Sequence, residues 1–408
     1  MEWTALRRQA HGAEQVSQGW QTGPDGAYLD HAASTPMRPE AIEAMTPFLA
    51  GCFANPSGGH AAARAAKSAL EDARETVATL LGADAGEVVV TAGGTEADNL
   101  ALLGAARAAR ARGAGNSVVT CAFEHKAVLA AAEHLEREGF SVRRIPATRG
   151  GLVDLDALAE AVDASTVAVS VMLVNNEVGT IQPLDDVAGI VRERAPAAVL
   201  HTDAVQAVPW IDVAAAAAPA DLVSISAHKF GGPKGTGALV VRGGLPVEPL
   251  LEGGGQERGR RAGTVNVAGA VAMAAALRAT ADARDADVTR VGCLRDRLLV
   301  GLGDLVDGLV VNGDPRHKVA GSCHVGIPGV DAELLLVALD RLGVYAAAGS
   351  SCSSGAAEPS HVLLAMGVPV ELARCSIRLS LGYASKEVDV DRALAAIPEA
   401  VGMLRRAA

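Results

Sequence analysis

A formal charge of −11 over 408 residues excludes nucleic acid as a main partner, because a phosphate backbone is met by a basic face. The chain is long enough for two domains; half of it is hydrophobic yet only 3% is aromatic, so its core must be built from Ala, Val and Leu. No apolar run approaches the ~20 residues of a membrane span, and the six cysteines (52, 121, 293, 323, 352, 375) show no C-x-x-C spacing, which argues against a metal and for a cytoplasmic protein with reduced thiols.

Residues 1–26 are polar and aperiodic and are expected to form a loose N-terminal extension; no apolar segment follows Arg7–Arg8, so these are not an export signal. The segment 27–40, around Tyr28, is expected to join a later, smaller domain. His60 to Leu81 reads as one amphipathic helix. From Val88 onward β-branched runs alternate with Ala/Leu/Glu-rich stretches. "EVVVTA" precedes a helix from about Thr95 to Arg112, "SVVTC" one from about His125 to Glu138, and "TVAVSVMLV" one from about Leu184 to Arg194; "AAVLHTD" and "DLVSIS" follow. This alternation predicts an α/β domain over 41–278 with a mainly parallel sheet flanked by helices. After about Arg278 longer helices and scattered strands predict a smaller α+β C-terminal domain over 279–408. Ala214 to Ala218 is a low-complexity patch in a loop or short helix.

In such sheets ligands gather outside the carboxyl ends of the strands. Those ends carry "GGTEADN", "FEHK", "NNEVG", "DAVQ" and "SAHK". In the first, Gly93 and Gly94 let backbone N–H groups approach an anion at a helix N-terminus, and Thr95 either offers its hydroxyl to a phosphate or caps the helix with Asp98 as its capping-box partner. Asp203 at the end of a buried strand demands a cationic or protonated partner, such as a pyridinium N–H, unless it is a helix cap; Gln206 could donate to a nearby oxygen. His125 at a strand exit is a stacking and proton-exchange candidate, or an ordinary loop residue. Lys229 leaves a hydrophobic strand, where a poorly solvated amine can form an imine with a carbonyl. Ser226 and His228 beside it are candidate phosphate ligands, while Lys234 in "GPKG" belongs to a turn expected to hold it away from the strand mouth. Cys352, among small residues in "GSSCSSG", reads as an exposed nucleophile; the other five cysteines, in or beside apolar segments, read as core.

Taken together the chain resembles the cysteine desulfurases, pyridoxal-phosphate enzymes of the class V aminotransferase group. The resemblance runs from "YLDHAASTP" to "SIRLSLG" through "NPSGGH", "GGTEADNLAL", "EHKAVL", "VNNEVG", "HTDAVQ", "SAHKFGGPKGTGAL", "GGGQERGRRAGT" and "GSSCSSGAAEPS". It implies the type I fold of pyridoxal 5'-phosphate enzymes and a role for each candidate. Lys229 would hold the cofactor as an imine, Asp203 would keep its ring nitrogen protonated, and His125 would stack on the ring. Asn176 and Gln206 would contact its phenolic oxygen, and Gly94, Thr95, Ser226 and His228 would surround its phosphate. Thr264 would reach the phosphate of the other subunit of a homodimer, and Arg378, with Asn176, would bind the substrate carboxylate.

In the implied reaction Lys229 removes the α-proton of L-cysteine, the thiolate of Cys352 takes the sulfur as a persulfide, and alanine is released. His125 is the candidate base for the thiol, and a scaffold or acceptor protein is the implied recipient. Iron–sulfur cluster assembly, tRNA thiolation, DNA phosphorothioation and natural-product sulfur insertion all stay open as destinations. The pattern departs from the family in "GSSCSSG", in Ala54 ahead of "NP", and in the N-terminal extension; none removes a catalytic group. The alternatives are a lyase acting on selenocysteine or another β-substituted amino acid, a dinucleotide-dependent oxidoreductase, disfavoured by the missing G-x-G-x-x-G, and a catalytically silent scaffold, disfavoured by the presence of both lysine and cysteine.

Overall fold

The computed structural model describes residues 26–349 and 359–407. Its largest sheet has seven strands: β2 (Val88–Thr91), β3 (Ser117–Cys121), β4 (Ser141–Ile145), β5 (Thr166–Ser170), β6 (Val199–Asp203), β7 (Leu222–Ser226) and β8 (Gly237–Val241). β1 (Ala27–Tyr28) lies elsewhere. The sheet order is β2-β8-β7-β6-β5-β3-β4; β4, β3, β5, β6 and β7 are mutually parallel, and β8 alone runs against its neighbours. The carboxyl ends of β2, β3, β5, β6 and β7 therefore open on one side, as the expected α/β arrangement requires.

β3 and β5 to β8 are buried along their whole length, so their polar residues, Ser170, His201 and Ser224 among them, are buried too. β4 differs: "SVRRI" is an edge strand, exposed at Ser141 and Arg144, and its charges suit an edge. The helix Gly94–Ala111 lays Ala97, Ala101 and Ala105 against Val199, Leu222 and Leu239 of the sheet. Small residues on the helix let it approach a sheet that has almost no aromatic side chains to fill a gap.

A second core surrounds the three-stranded antiparallel sheet β12-β10-β9, where β9 is Val310–Val311, β10 is Ser322–Gly326 and β12 is Ser376–Ser380. Leu294, Leu298 and Leu302, spaced one turn apart, pack there with Ile397 and Val401 of the helix Glu387–Ala407. β1 pairs in parallel with β11 (Val344–Tyr345), and Asp30 bridges to Ser380, so the segment after residue 26 joins this second core. The 39-residue helix Val267–Leu305 passes through position 278 without a break, its first half in the larger core and its second half in the smaller one. Val362, Leu363 and Met366 return to the larger core.

The loop before that helix is pinned from beneath. Arg74 of the helix Ala61–Leu80 donates to both carboxylate oxygens of Glu257 at 2.8 Å each, and Val90 N donates to Glu257 Oε2 at 2.8 Å. Glu257 and Arg258 hold φ angles of 47° and 57°, a left-handed conformation that non-glycine residues adopt at a cost.

Candidate active site

Lys229 ends the short 3-10 turn Ala227–Lys229 that leaves β7. The chain then reverses at Gly231, whose φ is 89° and whose added Cβ would lie 2.4 Å from Arg38 Cγ, so only glycine fits. Half-buried, Lys229 Nζ donates to the main-chain oxygens of Ala32 at 2.6 Å and Ala33 at 2.9 Å. Its side chain lines a cavity of about 280 Å3 together with His125, Asn176, Asp203, Gln206 and Arg378. The strand-exit motifs thus converge on one space.

A second cavity, of about 620 Å3, adjoins the first; Gly94, Thr95, Ser226 and His228 line both. Here the N-terminus of the helix Gly94–Ala111 carries no side-chain cap: Gly93 occupies the cap position with φ 147°. A Cβ on Gly94 would come within 2.9 Å of Val205 Cγ2, so the helix end must be bare to sit this close to the strand exits. Its first amides and the helix dipole favour an anion. The capping-box alternative is not realised, since Thr95 lies inside the first turn, Glu96 Oε2 accepts from Ala92 N at 2.8 Å, and Asp98 is buried. Burial, then the charges of Lys229 and Lys234, push the His228 imidazole down to about 4, which leaves it neutral.

Asp203, at the end of β6, starts no helix; its Oδ1 accepts from Val205 N at 2.8 Å in a turn. Burial raises its pKa, against the pull of His125, that bond and Lys229. His125 caps the helix Lys126–Arg137, its Nδ1 accepting from Ala127 N at 3.2 Å. Burial pushes this imidazole below its ordinary range, and the bond to Ala127 assigns its proton to Nε2. As placed, His125 is a donor at Nε2; to act as a base for a thiol it must release Ala127.

Arg378 comes from β12 in the other core. Its Nη2 donates to Asp30 Oδ1 at 2.8 Å and its Nη1 to Asn176 O at 3.0 Å. Arg378 Nε and Asn176 Oδ1 are buried without a hydrogen-bond partner, a costly state that a bound polar group would relieve. Gln206 Nε2 donates to Ala32 O at 2.7 Å.

Some expectations fall elsewhere. Thr264 is exposed on a loop and lines neither cavity. Lys234 does sit in a turn, yet it lines the larger cavity beside Thr95 and His228, so the turn brings it to the mouth. Cys121 and Cys323 are buried and Cys375 is half-buried, but Cys52 and Cys293 are exposed, which corrects the reading of all five as core. Cys52 follows the helix Pro39–Ala50, whose end leaves Leu49 and Phe53 exposed as well, so apolar neighbours there do not mean burial. Cys352 and residues 1–25 lie outside the described residues. The sequence reading missed Asp30, the main-chain oxygens that hold Lys229, and His361, which lines the smaller cavity and bonds Glu124 O at 2.9 Å. "YLDHAASTP" and "EPSH" carried these residues, but nothing local in either stretch says where it packs.

A lysine, a buried aspartate and a histidine facing one cavity, beside a bare helix N-terminus on a type I α/β fold, define a class that the comparisons identify. The chain belongs to the Aminotransferase class-V family, whose model matches residues 27–393. Within that family it is similar to the "Cysteine desulfurase IscS" of Methanosarcina thermophila, with 42% identity covering 93% of this chain and 92% of the relative. It is also 44% identical to the "IscS-like cysteine desulfurase" of Mycobacterium tuberculosis over 94% of this chain and 98% of that one. A solved "NIFS-LIKE PROTEIN" superposes with a TM-score of 0.86 at 35% identity, covering 93% of this chain and all of that one.

Proposed function

We propose that this chain is a cysteine desulfurase that uses pyridoxal 5'-phosphate to take the sulfur from L-cysteine, releases L-alanine, and passes the sulfur through Cys352 to an acceptor protein. The carrying observation is the convergence of Lys229, Asp203, His125 and Arg378 on one cavity of about 280 Å3. The residues present fit the cofactor. Lys229 would tether it, and the buried Asp203 would meet its ring N–H, a cation that removes the cost of that burial. His125 would lie against the ring, with Asn176 and Gln206 at the phenolic oxygen. Gly94, Thr95, Ser226 and His228, which bound both cavities, would hold the phosphate at the bare helix end.

Bound there, the cofactor supplies the electron sink that makes the α-proton of cysteine removable and its C–S bond breakable. Arg378 and Asn176 hold the substrate carboxylate, for which the buried guanidinium already has an unpartnered Nε. The Lys229 amine removes the α-proton and later returns one, and His125 exchanges a proton with the substrate at Nε2. Cys352 attacks the substrate sulfur; an S–S bond forms as the C–S bond breaks.

Thr264, exposed and outside both cavities, is placed by this reading at the phosphate of a second copy, so the working unit is a homodimer in the cytoplasm. Leu49 and Phe53, 63% and 81% exposed, are surface that such a partner would cover. Domains over 41–278 and 279–408, with 27–40 joining the second, bring Arg378 to the ends of the large sheet.

The test is alanine formation from cysteine and from selenocysteine by the purified protein, its Lys229→Ala variant and its Cys352→Ser variant. Wild type should form alanine from cysteine with persulfide on Cys352, Lys229→Ala should be colourless and inert, and Cys352→Ser should release little or no sulfur. Full activity of Cys352→Ser on cysteine, or turnover of selenocysteine alone, would refute the reading.

A further inference from the structure

Behind Asp203 lies a polar layer that the proposed reaction does not use. Ser170, His201 and Ser224 stand on the adjacent central strands β5, β6 and β7. His201 Nδ1 bonds Ser170 Oγ at 2.9 Å, and His201 Nε2 bonds Ser224 Oγ at 2.9 Å. The carboxyl of Asp98 lies beside Ser224, and that of Glu124 beside Ser170. A polar layer thus runs through the sheet between two carboxyls, both 1% exposed or less.

Asp98 closes on the cavity side. One oxygen of Asp98, one nitrogen of His125 and one oxygen of Asp203 all lie within 4.8 Å of one another. Asp98 Oδ1 has no hydrogen-bond partner, and neither has Glu124 Oε2. The nearest base to Asp98 Oδ1 among the ion-pair contacts is His201 Nε2, at 3.6 Å, and that nitrogen already faces Ser224. Two buried carboxyls this close resist carrying charge together unless a cation stands between them.

From this geometry we infer that Asp98 is a positioning residue for Asp203: it is the neutral, protonated member of a carboxyl pair, and it leaves Asp203 as the anion. The division of labour follows from position. Both carboxyls line the cavity, but Asp203 accepts from Val205 N and is drawn by His125 and Lys229, whereas Asp98 has one oxygen without a partner and meets the neutral hydroxyl and imidazole of the sheet layer. The groups facing Asp98 are His201 and Asp203 from β6, Glu124 and His125 from the exit of β3, and the uncharged Ser224 from β7. Burial, Asp203 and Glu124 raise its pKa, and burial holds His201 down at about 3, so His201 offers Asp98 no positive charge. A neutral Asp98 therefore removes one negative charge from beneath the ring and leaves Asp203 as the anion that a ring N–H would meet. That last clause rests on the proposed cofactor site; the pairing of the two carboxyls does not.

The experiment uses the full-length protein freed of cofactor, so that failure of the cofactor reading and failure of this inference separate. Infrared difference spectra of wild type minus Asp98→Asn at neutral pH should contain the carbonyl stretch of a protonated carboxylic acid. In an Asp203→Asn background the same band should bleach at a pH lower by about one unit or more, because the competing charge is gone. A thermal readout covers any misfolding of one variant. With its folded pKa raised, Asp98 binds its proton more tightly in the native state, so wild type loses stability relative to Asp98→Asn as pH rises above the ordinary aspartate value of 3.8. A difference spectrum holding only carboxylate bands, a bleaching pH unmoved by Asp203→Asn, or a melting difference flat from pH 5 to 8 would each overturn the inference.

Discussion

Among the places where the described residues bury carboxylates, two treat them differently. At Glu257 every oxygen is engaged: Arg74 grips both, Val90 N adds a third bond, and Arg74 Nη1 also reaches Val88 O at 2.6 Å. Around Asp203, three carboxyls share one region, Asp98 and Glu124 each leave an oxygen without a partner, and the local cations stand only on the cavity side. The first arrangement is complete without a ligand; its product is structure, the anchoring of a strained loop. The second is incomplete by itself, and what completes it is chemistry. Burial alone does not separate a structural acid from a functional one; satisfaction does.

The comparison can be broken by variants that act on one side only. Lys229→Ala should lower turnover by about a thousandfold or more and abolish visible absorbance, yet leave the unfolding free energy of the apoprotein within about 1 kcal/mol. Paired assays and denaturant melts check this, and a collapsed fold would show that the site is also structural. Glu257→Ala should do the opposite, lowering unfolding free energy by about 2–3 kcal/mol because buried Arg74 loses both carboxylate bonds and keeps only Val88 O and the half-exposed Glu71. Equality with wild type in urea would remove the contrast.

A smaller effect comes from His31, buried and bonded to Thr35 Oγ1 at 2.9 Å, whose imidazole burial pushes from 6.5 to about 4. Its folded pKa is depressed, so the unfolded state binds the proton first as pH falls. Relative to His31→Asn, wild type should therefore lose about 1–3 kcal/mol between pH 6.5 and about 4, and nothing above that window. Melts of the two proteins across this range decide it; a constant difference would mean that His31 titrates normally. The smallest effect belongs to Cys52→Ser and Cys293→Ser, exposed thiols whose loss should change stability by less than about 0.5 kcal/mol.

Much of this was legible because chemistry on a parallel sheet sits at strand exits, where a change from apolar run to polar motif is local. Lys229, Asp203, His125 and the Gly93–Gly94 turn were each found that way, and the structure gathers them around adjoining cavities. What escaped depends on distance along the chain. Arg74 and Glu257 are 183 residues apart, Asp30 and Arg378 are 348 apart, and no local pattern joins either pair. Asp98 escaped for another reason: its spacing from Thr95 imitates a capping box, and only the fold reveals that it is buried. β4 was hidden by the charges that an edge strand tolerates, and the exposure of Cys52 by apolar neighbours that are themselves on the surface.

The most direct test of the whole account is to reduce the coloured, active protein with borohydride, digest it, and fragment the peptides that carry added mass. The cofactor's mass should sit on Lys229, within "SAHKF". Active protein in which Lys229 is unmodified, with the mass on Lys234 or nowhere, would contradict it.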